Sequence, residues 1–205
     1  MLFLYCFVRI KYFFSHFCRV FGIISYIDMC KKFIPFAHAQ SIYEVPVDFY
    51  QKNGVSLLLV DLDNTLDSYR RHEPTEQAIN ILAEIKKTGV EPVIVSNNRE
   101  DRVKHYADGA GVNCLFSAHK PFSKRIRKFL EKKGVSADKV MLVGDQLMTD
   151  VLAARGAHIR VLLTEKLVKE DQWTTHINRL LDRPIRRHLR KKGKLPDWRT
   201  KYGQI

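Results

Sequence analysis

Residues 57–66 read Leu-Leu-Leu-Val-Asp-Leu-Asp-Asn-Thr-Leu, an apolar run that passes directly into two aspartates one residue apart, with a threonine two positions later. An uninterrupted apolar run of this kind suits a strand buried on both faces, the condition of a parallel sheet covered by helices. Open α/β sheets hold their ligands at the carboxyl ends of such strands, which is where Asp61 and Asp63 fall. Two carboxylates so close repel each other unless a cation sits between them or one stays protonated. The expected cation is Mg2+ and the expected chemistry phosphoryl transfer. A carboxylate at such a strand end can attack phosphorus to form an aspartyl-phosphate. Its neighbour can protonate the leaving alcohol and later deprotonate a water.

Three further clusters follow in order. The apolar run Pro92 to Val95 leads into Ser96-Asn97-Asn98, Lys120 stands just before Pro121, and Val140 to Val143 leads into Gly144-Asp145-Gln146-Leu147-Met148-Thr149-Asp150. Each has a bland reading: a polar turn, a helix cap, a solvated lysine, an acidic helix start. Capping and phosphate binding are compatible, because a helix amino terminus offers free N–H groups to an anion. The Asp-x-Asp-x-Thr signature and the three later clusters together resemble motifs I to IV of the haloacid dehalogenase (HAD) superfamily. The resemblance implies Asp61 as nucleophile and Asp63 as acid and base. It also implies Thr65, Ser96, Asn97 and Lys120 at the substrate's phosphoryl group, and Mg2+ held by Asp61, Asp63, Asp145 and Asp150.

Periodicity supports an α/β chain. Strands are expected near 55–61, 91–96, 113–117, 139–144 and 158–163. Between and after them, Ala78, Ile81, Leu82 and Ile85 make one helical stripe and Val103, Tyr106, Ala107 and Ala110 another. Phe122, Ile126, Phe129 and Leu130 make a third, and Trp173, Ile177, Leu180 and Leu181 the last. Gly89 and Gly134 stand where helices would end. Strand and helix alternating in this way predict a parallel five-stranded sheet with right-handed crossovers, and the HAD resemblance implies that it forms a three-layer Rossmann-like fold. HAD enzymes of small metabolites commonly carry a cap inserted between the motifs. Here about 26 residues separate Thr65 from Pro92, room for a short flap (Asp67 to Pro74) and one helix, so no cap domain is expected. An uncapped site suits a large substrate, or a phosphate presented by a macromolecule or membrane.

The scattered Cys6, Cys18, Cys30 and Cys114 suggest neither a zinc loop nor a disulfide framework, and fit reduced thiols in a cytoplasmic protein. Residues 1–28 hold nine aromatics broken by Arg9, Lys11 and Arg19. They read as an interfacial anchor or as the result of a mis-assigned start before Met29. From Met29-Cys30-Lys31-Lys32-Phe33-Ile34-Pro35 onward the chain resembles the YqeG branch of HAD subfamily III, over roughly residues 29–182. Residues 183–205 form a basic tail, in which nine Lys or Arg and one acid between Arg183 and Lys201 carry +8 of the chain's +13. Such a run is often merely solvated, but Leu189, Leu195 and Trp198 interleave the charges and favour an interface, with an anionic membrane surface as one expected partner and RNA as another. In relatives of the mitochondrial phosphatidylglycerophosphatase type the substrate is a phosphorylated lipid head group. The resemblance therefore implies hydrolysis of phosphatidylglycerophosphate by a cytoplasmic enzyme, peripheral at the inner membrane face. A phosphatase of nucleic-acid ends or of another metabolite, a non-catalytic RNA or ribosome adaptor, and a receiver-type domain are the rivals.

Overall fold

The computed structural model describes residues 31–167 and 173–202, with the side chains of 173–180 excepted. The expected extension over 1–28 and the stripe side chains of Trp173, Ile177 and Leu180 lie outside the described residues. The chain divides into two units, Met1–Ile34 and Pro35–Ile205. In the first, Ile34 N–H donates to the Lys31 carbonyl at 3.3 Å to close a single turn. All that follows concerns the second.

Six strands form one parallel sheet in the order β1-β6-β5-β2-β3-β4. They are β1 (Ala37–Ala39), β2 (Leu57–Asp61), β3 (Glu91–Val95), β4 (Asn113–Leu115), β5 (Val140–Gly144) and β6 (Arg160–Thr164). All five residues of β2 and of β5 are buried, as a central strand covered on both faces requires. The chain runs outward from β2 through β3 to β4, then returns to place β5 on the opposite side of β2. That reversal is a topological switch point, where open α/β sheets leave a crevice at the strand ends. Register puts Asp61 beside Val95 and Val60 beside Val143, so the segments that follow β2, β3 and β5 emerge together at one edge.

Five expected strands are present, and β1 is an addition. It has only three residues, Ala-His-Ala, which carry no apolar run, and it forms because β6 offers a free edge. β4 stops at Leu115 rather than 117, since Ser117 takes a left-handed φ of 45° and donates its N–H to the Asn98 carbonyl at 2.8 Å.

Helices cover both faces of this sheet. After α1 (Asp48–Lys52), α2 (Glu76–Lys87) starts at Thr75, whose hydroxyl accepts from Ala78 N–H at 3.2 Å, and buries Ala78, Leu82 and Ile85. Next, α3 (Glu100–Gly109) buries Val103, Tyr106 and Ala107, as its stripe requires. α4 (Lys124–Lys133) buries Ile126 and Leu130 and ends at Gly134, whose φ of 64° a side chain would strain. Phe122, expected on that face, precedes the helix and is 73% exposed. α5 (Leu152–Gly156) is short.

Helix α6 (Trp173–Lys191) runs through the boundary expected at residue 182. Asp182, Ile185 and Leu189 are buried, and the chain beyond returns to the sheet, where His38 N–H donates to the Pro196 carbonyl at 2.7 Å. Trp198 then packs edge-on against Phe49 at 6.0 Å between ring centroids. The segment expected as a basic appendage is thus half amphipathic helix and half edge cover. No helix among the described residues is long and apolar enough to cross a membrane.

Glu165, just past β6, ties these parts together by accepting from His38 Nε2 at 2.8 Å, Arg186 Nη1 at 3.0 Å and Arg190 Nη2 at 2.9 Å. The hydrogen bond from His38, aided by Arg186 and only partly opposed by burial, lowers its pKa from 4.5 to about 2. A depressed carboxyl contributes stability above its unfolded value and loses it as pH falls toward the folded one. Glu165→Gln should therefore cost about 1–2 kcal/mol at neutral pH, after allowance for solvent screening. Thermal melts should show the gap between variant and wild type closing as pH falls from 4.5 toward 2.

Candidate active site

Burial brings a lysine among three carboxylates at the switch point. Lys120 Nζ donates to Asp61 Oδ1 at 2.5 Å, to Asp150 Oδ1 at 2.7 Å and to the Val95 carbonyl at 3.3 Å. Its side chain is 3% exposed. Asp145 completes the group, and one oxygen each from Asp61, Asp145 and Asp150 lies within 4.8 Å of the others. One ammonium among three carboxylates leaves a surplus of negative charge in a site with little water to screen it. Burial accordingly drives the Asp61 pKa well above the usual carboxylate range. Lys120 pulls it down, and Asp150, Asp145 and Asp63 push it up. For Lys120, burial disfavours the charge, but Asp150 and Asp61 outweigh it and hold the ammonium more firmly protonated than a free lysine.

Local sequence explains how each group is held. Thr65, four residues after Asp61, donates its hydroxyl to Asp61 Oδ2 at 3.3 Å. The Lys120 main chain is gripped by one side chain: Asn97 Oδ1 accepts from Lys120 N–H at 2.7 Å, and Asn97 Nδ2 donates to the Lys120 carbonyl at 2.8 Å. The Asn97 side chain is thereby committed to Lys120, while the expected phosphoryl contact of this segment is through its backbone amides. Ser96 is buried at the end of β3, and its Oγ accepts from Asn98 N–H at 3.1 Å and Asn98 Nδ2 at 3.2 Å. Asp150 Oδ2 accepts from Gln146 N–H at 3.0 Å, closing the turn that carries it.

Asp63 lies outside the carboxylate group. Arg102 Nη2 donates to its Oδ1 at 2.6 Å, Arg102 Nη1 to its Oδ2 at 3.3 Å, and Asn98 Nδ2 to the same Oδ2 at 2.5 Å. The same guanidinium donates to the Tyr69 carbonyl at 2.6 Å, so the flap and Asp63 share one anchor. The flap's root is Asp67, which is buried and accepts from Tyr106 Oη at 2.6 Å and Thr75 N–H at 2.9 Å.

Arg102 and Asp182 were not singled out from the sequence, Asp67 was read only as the start of the flap, and Arg186 only as one charge of the basic tail, whereas its guanidinium is turned inward onto Glu165 and the Asp145 carbonyl. Arg102 looks like one more charge in a polar helix start, and Asp67 like a turn residue. Only Asp182 carried a signal, as an acid on the apolar side of a strongly basic helix.

Strand order, switch point and acidic group together define a HAD-like hydrolase centre. The haloacid dehalogenase-like hydrolase family model matches residues 10–164. A Bacillus subtilis protein named "Probable phosphatase YqeG" is 31% identical over 166 residues, which cover 80% of this chain and 96% of the relative. Among solved structures, the 3-deoxy-D-manno-octulosonate 8-phosphate phosphatase of Moraxella catarrhalis is 19% identical with a TM-score of 0.40, over 49% of this chain and 63% of that one. The Haemophilus influenzae deoxy-D-mannose-octulosonate 8-phosphate phosphatase is 10% identical with a TM-score of 0.43, over 71% and 93%. The chain belongs to the haloacid dehalogenase-like hydrolase family and is an enzyme of its phosphatase type.

Gly144 tests the close packing of the site. A Cβ there would lie 2.6 Å from both Cβ and Oδ2 of Asp150, a distance no such pair tolerates. Gly144→Ala must displace Asp150. It should cost about 1–3 kcal/mol in chemical denaturation, and turnover of p-nitrophenyl phosphate should fall on the order of a hundredfold.

Proposed function

We propose that this enzyme is a Mg2+-dependent phosphomonoesterase that works through an aspartyl-phosphate on Asp61, and that its substrate is phosphatidylglycerophosphate. The observation that carries the reaction is the buried Asp61–Lys120–Asp150 contact with Asp145 beside it. Three carboxylates offer only hard oxygen donors and exceed the one ammonium in charge, a donor set that fits Mg2+. Asp61, Asp145 and Asp150 would hold the ion. The Asp63 carboxyl group, positioned by Arg102 and Asn98 outside that set, would enter the cycle as the acid, give up its proton and recover one from the attacking water. Bound Mg2+ would offset charge on the phosphoryl oxygens and orient them for in-line displacement.

The chain's own residues carry the steps. An Asp61 oxygen bonds to phosphorus as the bond to the leaving alcohol breaks, and Asp63 gives that alcohol its proton. Asp63 then takes a proton from a water whose oxygen attacks the same phosphorus. The acyl-phosphate bond breaks, phosphate departs and the Asp61 carboxylate is restored. Lys120 stays protonated throughout and balances charge on Asp61. Thr65 orients the nucleophile, and the exposed amino end of α3 beyond Ser96 offers N–H groups to phosphoryl oxygens.

A lipid substrate is supported by the lack of a cap domain among the described residues and by the outer face of α6. Arg183, Arg187 and Lys191 are exposed there and Lys192 is exposed just past its end, while Asp182, Ile185 and Leu189 on the opposite side are buried. Each basic residue near an anionic bilayer contributes about 1 kcal/mol. This reading places the enzyme at the inner face of a membrane as a peripheral protein. Replacing those four residues with Gln should cut hydrolysis of phosphatidylglycerophosphate in anionic vesicles while leaving p-nitrophenyl phosphate turnover unchanged. The vesicle rate of the wild type should also fall as salt shortens the Debye length from about 10 Å toward 3 Å. Equal vesicle rates for both proteins would remove the membrane role of α6. Faster cleavage of 3′-phosphorylated oligonucleotides than of the lipid would favour a nucleic-acid phosphatase.

A further inference from the structure

The loop that carries Asp145 and Asp150 is fastened from outside the motifs. Residues Leu147–Val151 form one wide π-type turn, and its cap position, Gln146, gives no side-chain hydrogen bond to the amides that follow. The first amides of a helical turn need acceptors, and burial makes an unmet one costly. Here both acceptors come from a residue more than thirty positions away. Asp182 Oδ2 accepts from Leu147 N–H at 2.8 Å, and Asp182 Oδ1 accepts from Met148 N–H at 3.0 Å. Asp182 is 2% exposed, and a carboxylate is the strongest acceptor for that position. One turn further along α6, Arg186 Nη2 donates to the Asp145 carbonyl at 2.7 Å, while its Nη1 donates to the Thr164 carbonyl at 3.2 Å and to Glu165.

We infer that Asp182 and Arg186 of α6 form a two-point clamp on the 145–151 loop that sets the spacing of Asp145 and Asp150, and hence the site's affinity for a divalent cation. This rests on the reading of Asp61, Asp145 and Asp150 as the cation site. The two contacts act at successive points of one stretch, at Asp145 and at Leu147 and Met148. Asp182 fixes the amides of Leu147 and Met148, and Arg186 fixes the carbonyl of Asp145 itself. Between them the path from Asp145 to Asp150 has little freedom, because Gln146 N–H is already bonded to Asp150 Oδ2 and Gly144 is in contact with Asp150. Both are positioning residues. They touch neither substrate nor ion and act through the main chain of the residues that would.

The test is isothermal titration of the full chain with MgCl2, together with thermal midpoints and the Mg2+ dependence of turnover, for wild type, Asp182→Asn, Asp182→Ala, Arg186→Lys and Leu189→Ala. Leu189 is buried on the same helix and makes none of these loop contacts, so its truncation reports loosening of α6 alone. Asp182→Asn keeps the shape but presents an NH2 to one of the two amides, and Arg186→Lys keeps the charge but cannot span two carbonyls. Loss of such an outer contact weakens metal binding by about ten- to a hundredfold. Losses in that range are expected for Asp182→Ala, smaller ones for Asp182→Asn and Arg186→Lys, and none for Leu189→Ala at a comparable drop in melting temperature. Partial rescue of turnover by excess Mg2+ should accompany them. Wild-type Mg2+ affinity in folded Asp182→Asn and Arg186→Lys would overturn the clamp, as would an equal loss in Leu189→Ala. Failure of the wild type to bind Mg2+ would instead overturn the cation-site reading, and the clamp with it.

Discussion

The contact of Lys120 with Asp61 and Asp150 governs the rest of this structure. A buried ammonium and buried carboxylates are each expensive alone, and removal of one partner typically costs 3–5 kcal/mol because a bare charge is left behind. The fold therefore has to deliver all of them to one point with little tolerance. Asp61 comes from the end of the central strand, Asp145 and Asp150 from the end of its neighbour on one side, and Lys120 from the loop after β4 on the other. Asn97, at the end of the strand between, grips Lys120 by its main chain. The three-strand centre of the sheet is in this sense a frame for one ion cluster, whose surplus negative charge is the site's capacity for a cation.

Polar contacts connect the outer parts of the molecule to that cluster. Arg102 joins the flap to Asp63, so the flap and the proposed acid–base group share an anchor. Asp182 and Arg186 join the last helix to the acidic loop, and Glu165, at the end of β6, joins that helix to the edge strand β1. The basic face that would meet an anionic surface and the buried face that holds the loop are thus two sides of one helix. Contact with a membrane would bear on an element already in touch with the site.

Much of this was legible in the sequence, for identifiable reasons. β2, β3 and β5 end in chemistry, and a buried strand has to be continuously apolar, so run and motif appear side by side. The helical stripes of α2 and α3 were readable because one buried face at helical spacing is their only requirement. Phe122 was misplaced because an apolar residue before a helix has the spacing of one inside it. β1 escaped because three residues held by a neighbour's edge need no pattern of their own. Residues 183–201 look like a solvated tail by charge count, yet Asp182, Ile185 and Leu189 recur at three- and four-residue steps, the period of a buried stripe. The grip of the Asn97 side chain on Lys120 was not legible, because its partner lies 23 residues away, a separation that sequence spacing does not encode.

The most direct measurement of the central claim is acid-quench trapping with a 32P-labelled phosphomonoester in the presence of Mg2+, followed by borohydride reduction and peptide mapping. The label should be base-labile and reside on the peptide containing Asp61, with homoserine at that position after reduction, and Asp61→Asn should carry none. A label on any other residue, or turnover by folded Asp61→Asn at the wild-type rate, would contradict the assignment of Asp61 as nucleophile.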